Sequence, residues 1–303
     1  MPTNNTKWFD DTEILSFEEI TRLVSLFVNL GVEKIRITGG EPLVRPLLTN
    51  LIKSIKTISG VKGIGLTTNG LLLADKVENL LSAGLETVNI SLDSFLEDRF
   101  KMMTGVRDVD KVIDSIHRAK DVGLNVKINT VVIRGWNDDE IVNFAAFARD
   151  NECVVRFIEF MPLDGAGIWQ PNLVFSKQEM IKRISLKVGP IVRTRDNNNN
   201  EADPAMLYSF VDGKGTIGFI PSITEPFCGN CDRVRITSDG RFLTCLFENP
   251  GYDLKYLLRR GVSDEKIATY VLNSMSKKPE GIIRIIQTKS LKPTLNLMHT
   301  IGG

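Results

Sequence analysis

Cys228 and Cys231 form a Cys-x-x-Cys pair, and Cys245 follows after thirteen intervening residues. Two thiols on one tight turn and a third on the far strand of a short hairpin suit a tetrahedral metal or an iron–sulfur cluster. A structural zinc site ordinarily takes four protein ligands, and this motif offers three. The remaining cysteine, Cys153, sits in an apolar run and reads as a core thiol. Both histidines lie outside the motif. On the residues alone two readings stay open: a cluster whose fourth iron faces a substrate, or a zinc ribbon completed by a distant ligand.

A second chemical signal is Thr38-Gly39-Gly40-Glu41-Pro42 at the end of an apolar run. Paired glycines let a backbone approach a ligand closely, and the carboxylate of Glu41 is suited to an amino group. Polar residues end three further apolar runs in the same manner: Thr67-Thr68-Asn69-Gly70, Ser91-Leu92-Asp93 and Glu159-Phe160-Met161-Pro162. Each alone is an ordinary loop; the series is what one expects where strands end at a common binding face.

Cations form the third signal. Arg36, Lys127 and Arg156 fall inside strand-like runs, where charge is costly unless it is paired or faces a polar lumen. Arg233 and Arg235 alternate just beyond the cysteine pair, so the strand period points both to one side. Singly, each reads as a salt-bridge partner. Together beside a metal motif they read as a site for an anionic substrate, since guanidinium groups bind phosphate in bidentate fashion.

These residues need a frame. Ser16-Phe17-Glu18-Glu19 is a capping-box helix start, continued by Ile20, Leu23, Val24 and Phe27. Strand patterns at 32–38, 63–68, 87–92, 126–133 and 154–160 alternate with helical patterns at 46–58, 74–83, 109–122 and 138–150. That rhythm predicts a parallel sheet covered by helices, a barrel or part-barrel. Near residue 190 the grammar changes. Hairpins are predicted over Tyr208–Ile220 and Arg233–Cys245, around Asp212-Gly213 and Asp239-Gly240, followed by a helix over 263–277. The predicted organisation is a β/α barrel unit over 1–190 and an α+β extension over 191–303.

Composition narrows the field. The chain of 303 residues is 42% hydrophobic and 25% charged, an ordinary globular balance. Its 38 basic and 37 acidic residues leave a formal charge of +1, so bulk attraction to nucleic acid or anionic membrane is not encoded. No apolar run approaches the roughly 20 residues of a spanning helix, and the first residues resemble neither a secretory signal nor a transit peptide. The expectation is a cytoplasmic protein.

Thr38-Gly-Gly-Glu-Pro, Thr67-Thr-Asn-Gly, Ser91-Leu-Asp, Arg156-Phe-Ile-Glu-Phe-Met-Pro, Phe227-Cys-Gly-Asn-Cys-Asp-Arg-Val-Arg and the terminal Gly302-Gly303 together resemble the GTP 3′,8-cyclase family, across the whole chain. These radical S-adenosylmethionine enzymes open molybdenum cofactor biosynthesis, converting GTP to (3′,8)-cyclo-7,8-dihydroguanosine 5′-triphosphate. The resemblance implies a partial (β/α) TIM-type barrel whose mouth is closed by the C-terminal extension. It implies S-adenosylmethionine contacts at Gly40, Glu41, Ser91 and Met161, and GTP contacts at Arg36, Thr67, Lys127, Arg233, Val234 and Arg235. It implies a [4Fe–4S] cluster on Cys228, Cys231 and Cys245, with Gly302, Gly303, Arg233 and Arg235 acting at the catalytic centre. A reductant, cyclic pyranopterin monophosphate synthase as recipient of the product, and a possible homodimer are the implied partners.

One departure from the family pattern is large. Members carry Cys-x-x-x-Cys-x-x-Cys followed by Met-Pro, and this sequence starts at Met1-Pro2. The expectation is a chain shortened at its N-terminus and inactive as it stands; in a eukaryote a missing leader would make mitochondria the alternative address. Rival readings are a non-catalytic GTP-binding isoform with one cluster, and a zinc-stabilised β/α protein.

Overall fold

The computed structural model describes residues 9–10, 12–163, 167–194, 203–248, 250–279 and 281–283. Ser16 caps α1 (Phe17–Asn29), accepting from the Glu19 N–H while the Glu19 carboxylate accepts from the Ser16 N–H, as the capping box predicts. Leu23, Val24, Leu26 and Phe27 bury the apolar stripe of this helix.

The cycle then runs β1 (Lys34–Ile37), α2 (Leu48–Lys56), β2 (Gly63–Thr68), α3 (Val77–Ser82), β3 (Thr87–Ser91), α4 (Glu97–Thr104), α5 (Val109–Asp121), β4 (Asn125–Val132), α6 (Ile141–Asp150) and β5 (Val154–Glu159). All five predicted strands and four predicted helices are present. Three helices start later than their sequence patterns. Leu47, held in the left-handed region at φ 58°, delays α2, and a 3₁₀ turn at Asp138–Glu140 precedes α6. The sequence pattern missed α4, of which only Phe100 is buried. It also missed α7 (Lys177–Lys187), although Ser176 and Glu179 make a second capping box.

Beyond α7 come β6 (Ile191–Arg193), β7 (Met206–Phe210) and β8 (Thr216–Ile220), then β9 (Arg235–Ile236), β10 (Arg241–Leu243), β11 (Tyr252–Asp253), α8 (Leu254–Arg259) and α9 (Asp264–Met275). The main sheet has the order β1-β2-β3-β4-β5-β8-β7-β6. Every neighbour from β1 to β8 is parallel, and β7 and β6 add on antiparallel. The sheet therefore runs straight across the change of sequence grammar near residue 190. Both predicted hairpins form, with Gly213 and Gly240 at positive φ in their turns. The fold is a partial (β/α) barrel with an added antiparallel edge and a small second sheet, β11-β10-β9.

Two apolar cores hold these layers. The larger packs Ile64, Leu66, Val88, Ile90, Ile128, Val155 and Phe157 against the helices. The smaller joins Leu15, Leu23, Leu26 and Phe27 to Phe242, Leu254, Leu258, Ile267 and Val271. Because alternate strand residues enter the larger core, their neighbours must line the concave lumen. Cys153 is buried in that core and its thiol is pushed up to about 11 by burial, as befits a packing residue.

Candidate active site

Strand register arranges the lumen in rows. Thr67 on β2, Asn89 on β3 and Lys127 on β4 are direct neighbours. One step toward the strand ends, Ser91, Asn129, Arg156 and Gly218 form the next row. Arg36 faces Gly65 across β1 and β2. Two glycines create the space for these arginines: a Cβ on Gly65 would stand 2.9 Å from Arg36 Nη1, and one on Gly218 would stand 2.8 Å from Arg156 Cγ. Arg36, Lys127 and Arg156 thus share the lumen face and feel one another's charge, and Asn129 Oδ1 accepts from Arg156 Nε at 2.9 Å.

Burial and one another's charge govern their electrostatics. Burial, then the neighbouring Arg36 charge, depresses Arg156 to about 10. Burial also depresses Lys127, reinforced by Arg156, Arg36 and Lys34. Arg36 is lowered by burial too, although it keeps contact with water along the open lumen, so the cost there is smaller. Asp203 is the carboxylate whose field opposes all three shifts. Burial is the first cause of all three shifts, and repulsion between the cations adds to those of Lys127 and Arg156.

The loops at the strand ends are held from within. Glu41 Oε1 accepts from the Leu43 N–H at 3.0 Å and Thr68 Oγ1 at 2.8 Å, while Oε2 accepts from the Asn69 N–H at 2.7 Å. Its carboxylate therefore ties the loop after β1 to the loop after β2. Gly40 and Ser91 are exposed at this end and Met161 is half-buried. Asp93 accepts from the Val131 N–H at 2.8 Å. It is enclosed by protein although some of its surface still meets water, and burial raises it from 3.8 to about 6.

The cysteine hairpin carries its own cations. The Cys231 N–H donates to the Cys228 carbonyl at 3.3 Å, and Arg233 Nη2 lies 3.4 Å from Cys231 Sγ. Burial raises the Cys231 thiol, but the Arg233 N–H, the Arg233 charge and Lys278 outweigh it, so the net shift is down. Cys245 is raised, by burial first and then by the other two thiols, which places all three within one field. Arg235 is depressed to about 10 by burial and then by Arg233, while Val234 turns the other way into the smaller core. This matches the predicted alternation. The Arg233 charge and the N–H groups directed at its sulfur favour the thiolate of Cys231, the form that ligates iron or zinc.

Lys278 and Gly281 gave no signal in the sequence, and Glu159 showed there only as a polar residue at a strand end. Lys278 reaches back from beyond α9 to donate to the carbonyls of Cys231 at 2.6 Å and Arg233 at 3.0 Å. Gly281, at φ +60°, lies so close that a Cβ would meet Cys228 Sγ at 3.0 Å and Cys245 Sγ at 3.4 Å. Glu159, fully buried, accepts from Lys177 N–H, Ile223 N–H, Thr224 N–H and Thr224 Oγ1, clamping the loop after β8 to the end of β5. Gly302 and Gly303 lie outside the described residues.

A part-barrel with a Gly-Gly-Glu loop at one strand end defines a class, and comparison with known proteins bears it out: residues 3–148 match the Radical SAM superfamily model. A crystal structure of Streptococcus suis SuiB bound to precursor peptide SuiA shares the fold at a TM-score of 0.50, with 20% identity over 62% of this chain and 40% of that one. Enzymes of this class work with S-adenosylmethionine and an iron–sulfur cluster.

Residues 153–283, including the cysteine hairpin, match the Molybdenum Cofactor Synthesis C model. The chain is 42% identical to the GTP 3′,8-cyclase of Thermodesulfovibrio yellowstonii, over 96% of this chain and 88% of that protein. It is 36% identical to GTP 3′,8-cyclase 1 of Mycobacterium tuberculosis, over 100% of this chain and 88% of that protein. The chain belongs to the GTP 3′,8-cyclase family, enzymes of molybdenum cofactor biosynthesis. Among the described residues no helix is long and apolar enough to cross a membrane.

Proposed function

We propose that this chain binds GTP in the barrel lumen and holds a [4Fe–4S] cluster on Cys228, Cys231 and Cys245. The observation that carries this reading is the pair of buried or half-buried cations Arg156 and Lys127, with Arg36 beside them, on a lumen face where Gly65 and Gly218 make room for the arginine side chains. Such an arrangement is costly unless a polyanion binds. The triphosphate takes these cations, and Thr67 offers a hydroxyl in the same row. Arg233 and Arg235, beside the cysteines, are proposed to take the part of GTP that lies near the cluster.

Three thiols on one hairpin are the donor type a cluster takes, and N–H groups reach two of them, although among the described residues no three such groups stand placed to hold a metal ion. Gly40, Ser91 and Met161 are the proposed contacts of S-adenosylmethionine, on the loops that Glu41 holds in register. In this class the one-electron chemistry would come from S-adenosylmethionine bound there and a second reduced iron–sulfur cluster, whose Cys-x-x-x-Cys-x-x-Cys ligands are not among the residues of this sequence. This chain's residues orient GTP, hold its charge and exclude water. Gly302 and Gly303 are proposed to reach the same site. The bacterial origin of most relatives favours the cytoplasm over the mitochondrial alternative.

Iron, sulfide and zinc should be measured per chain after anaerobic reconstitution, with GTP binding followed on the same sample. About four irons with matching sulfide and saturable GTP binding support the proposal. About one zinc without labile sulfide overturns it in favour of a zinc-stabilised protein. Cluster and GTP binding without cleavage of S-adenosylmethionine would mark a non-catalytic binder.

A further inference from the structure

Asn89 sits at the centre of β3 with its side chain on the lumen face, because Val88 and Ile90 on either side are wholly buried in the larger core. It is 5% exposed. Its neighbours across the sheet are Thr67 and Lys127, both among the residues proposed for GTP. Asn89 Oδ1 has no hydrogen-bond partner, and no other buried side-chain nitrogen or oxygen among the described residues shares that condition.

A buried acceptor left without a donor is destabilising, and native proteins rarely keep one without a use for it. Asn129, one row further along, shows the ordinary solution: its oxygen accepts from Arg156. Asn89 stands among cations already suited to phosphate, and a phosphate oxygen cannot satisfy it, because both are acceptors. The carbonyl and ring acceptors of a purine fail for the same reason. What remains on a nucleoside triphosphate is a ribose hydroxyl or a purine N–H.

We propose that Asn89 reads the nucleoside portion of the substrate, its side-chain oxygen accepting a hydrogen bond from a ribose hydroxyl or the exocyclic amino group of GTP. This rests on the GTP reading above. It divides the lumen into two functions: Arg36, Lys127 and Arg156 hold charge without regard to which nucleotide carries it, while Asn89 discriminates among nucleosides. A site that hydrogen-bonds a particular donor rejects analogues lacking it far more strongly than an apolar pocket rejects a missing methylene.

The test is a binding cycle on the full, anaerobically reconstituted chain. Dissociation constants are measured for GTP, 2′-deoxyGTP, 3′-deoxyGTP and inosine triphosphate with the unsubstituted protein, Asn89→Leu and Asn89→Asp. Asn89→Leu keeps the branched shape and removes the acceptor; GTP should weaken about 5- to 100-fold. The unsubstituted protein should disfavour one analogue by a similar factor, and Asn89→Leu should bind that analogue and GTP alike. A deoxy analogue so affected identifies the ribose, and inosine triphosphate identifies the purine amino group. Asn89→Asp retains an acceptor and should retain the discrimination.

Equal binding of GTP by Asn89→Leu and the unsubstituted protein overturns the proposal. So does a loss that is the same for GTP and every analogue, because that marks a packing role. If Asn89→Leu does not fold, the analogue series on the unsubstituted protein decides, and indifference to all of them overturns the proposal. Failure of the unsubstituted chain to bind GTP overturns the GTP reading itself.

Discussion

Gly218 of β8 lies directly beside Arg156 of β5, and its missing side chain is the space that the arginine stem occupies: a Cβ there would stand 2.8 Å from Arg156 Cγ. Gly65 serves Arg36 differently, because the nearest atom to its absent Cβ is the guanidinium Nη1 at 2.9 Å, at the free end of the side chain. The contrast gives two outcomes. Gly218→Ala pushes on a stem that cannot swing away, so we expect a stability loss of about 1–3 kcal/mol and GTP binding weaker by about tenfold. Gly65→Ala displaces only the guanidinium; GTP binding should weaken comparably while the melting temperature moves little. Calorimetry of both variants checks this, and equal melting losses would contradict it.

Asp93 gives a pH signature. Its pKa is raised from 3.8 to about 6 by burial, so its carboxyl disfavours the folded state once ionised. Below about pH 4 it is protonated whether folded or not. As pH rises toward and past about 6, the folded state loses on the order of 2 kcal/mol from this group, allowing for its remaining contact with water. Asn in its place keeps an acceptor for the Val131 N–H and removes the ionisation. Melting curves of Asp93→Asn should therefore rise relative to the unsubstituted protein between about pH 4 and 7. Parallel curves would show that the carboxyl titrates normally.

Lys278 and Gly281 predict the firmness of metal binding. Lys278→Met removes the amine that holds the carbonyls of Cys231 and Arg233, a charged hydrogen-bond pair worth about 1.5–3 kcal/mol per bond at most. Iron should leave the reconstituted variant several-fold faster in the presence of a chelator. Gly281→Ala places a methyl against two ligand sulfurs at a backbone angle that side chains rarely adopt. Its iron content after reconstitution should fall well below that of the unsubstituted chain. Undiminished iron in both would exclude this segment from the metal site.

Glu159 predicts the attachment of the loop after β8. Its oxygens serve four donors, two of them backbone N–H groups of residues 223 and 224. Glu159→Ala leaves those donors unmatched and should cost about 3 kcal/mol or more, roughly 6 °C of melting temperature in a chain of this size. Glu159→Gln keeps one acceptor and should lose less.

The barrel was legible because its signals are local. Ser16 and Glu19 cap α1 within one turn, and the apolar strands alternate with amphipathic helices at regular intervals. Arg36, Lys127 and Arg156 stood out because a charge inside an apolar strand asks for a reason. Asn89 gave no such signal: a neutral polar residue in a strand is ordinary until the register sets it between Thr67 and Lys127. Lys278 and Gly281 were invisible for another reason. They meet the cysteines only because the chain turns back after α9, a long-range contact that no spacing encodes. In α7 the capping pair Ser176 and Glu179 was plain in the sequence, yet the helix buries too little to show a clear period.

The two faces of α1 have a thermodynamic consequence. Val24 packs into the barrel core, while Leu23, Leu26 and Phe27 pack with Phe242, Leu254 and Ile267 of the C-terminal region. Arg22 pairs with Asp264, and Arg259 with Glu19, along the same helix. With one helix serving as a wall of both cores, neither can melt and leave the other its full set of contacts. Occupancy of the lumen and occupancy of the cysteine hairpin therefore draw on a single folding equilibrium: a ligand at either place raises the stability of the whole chain.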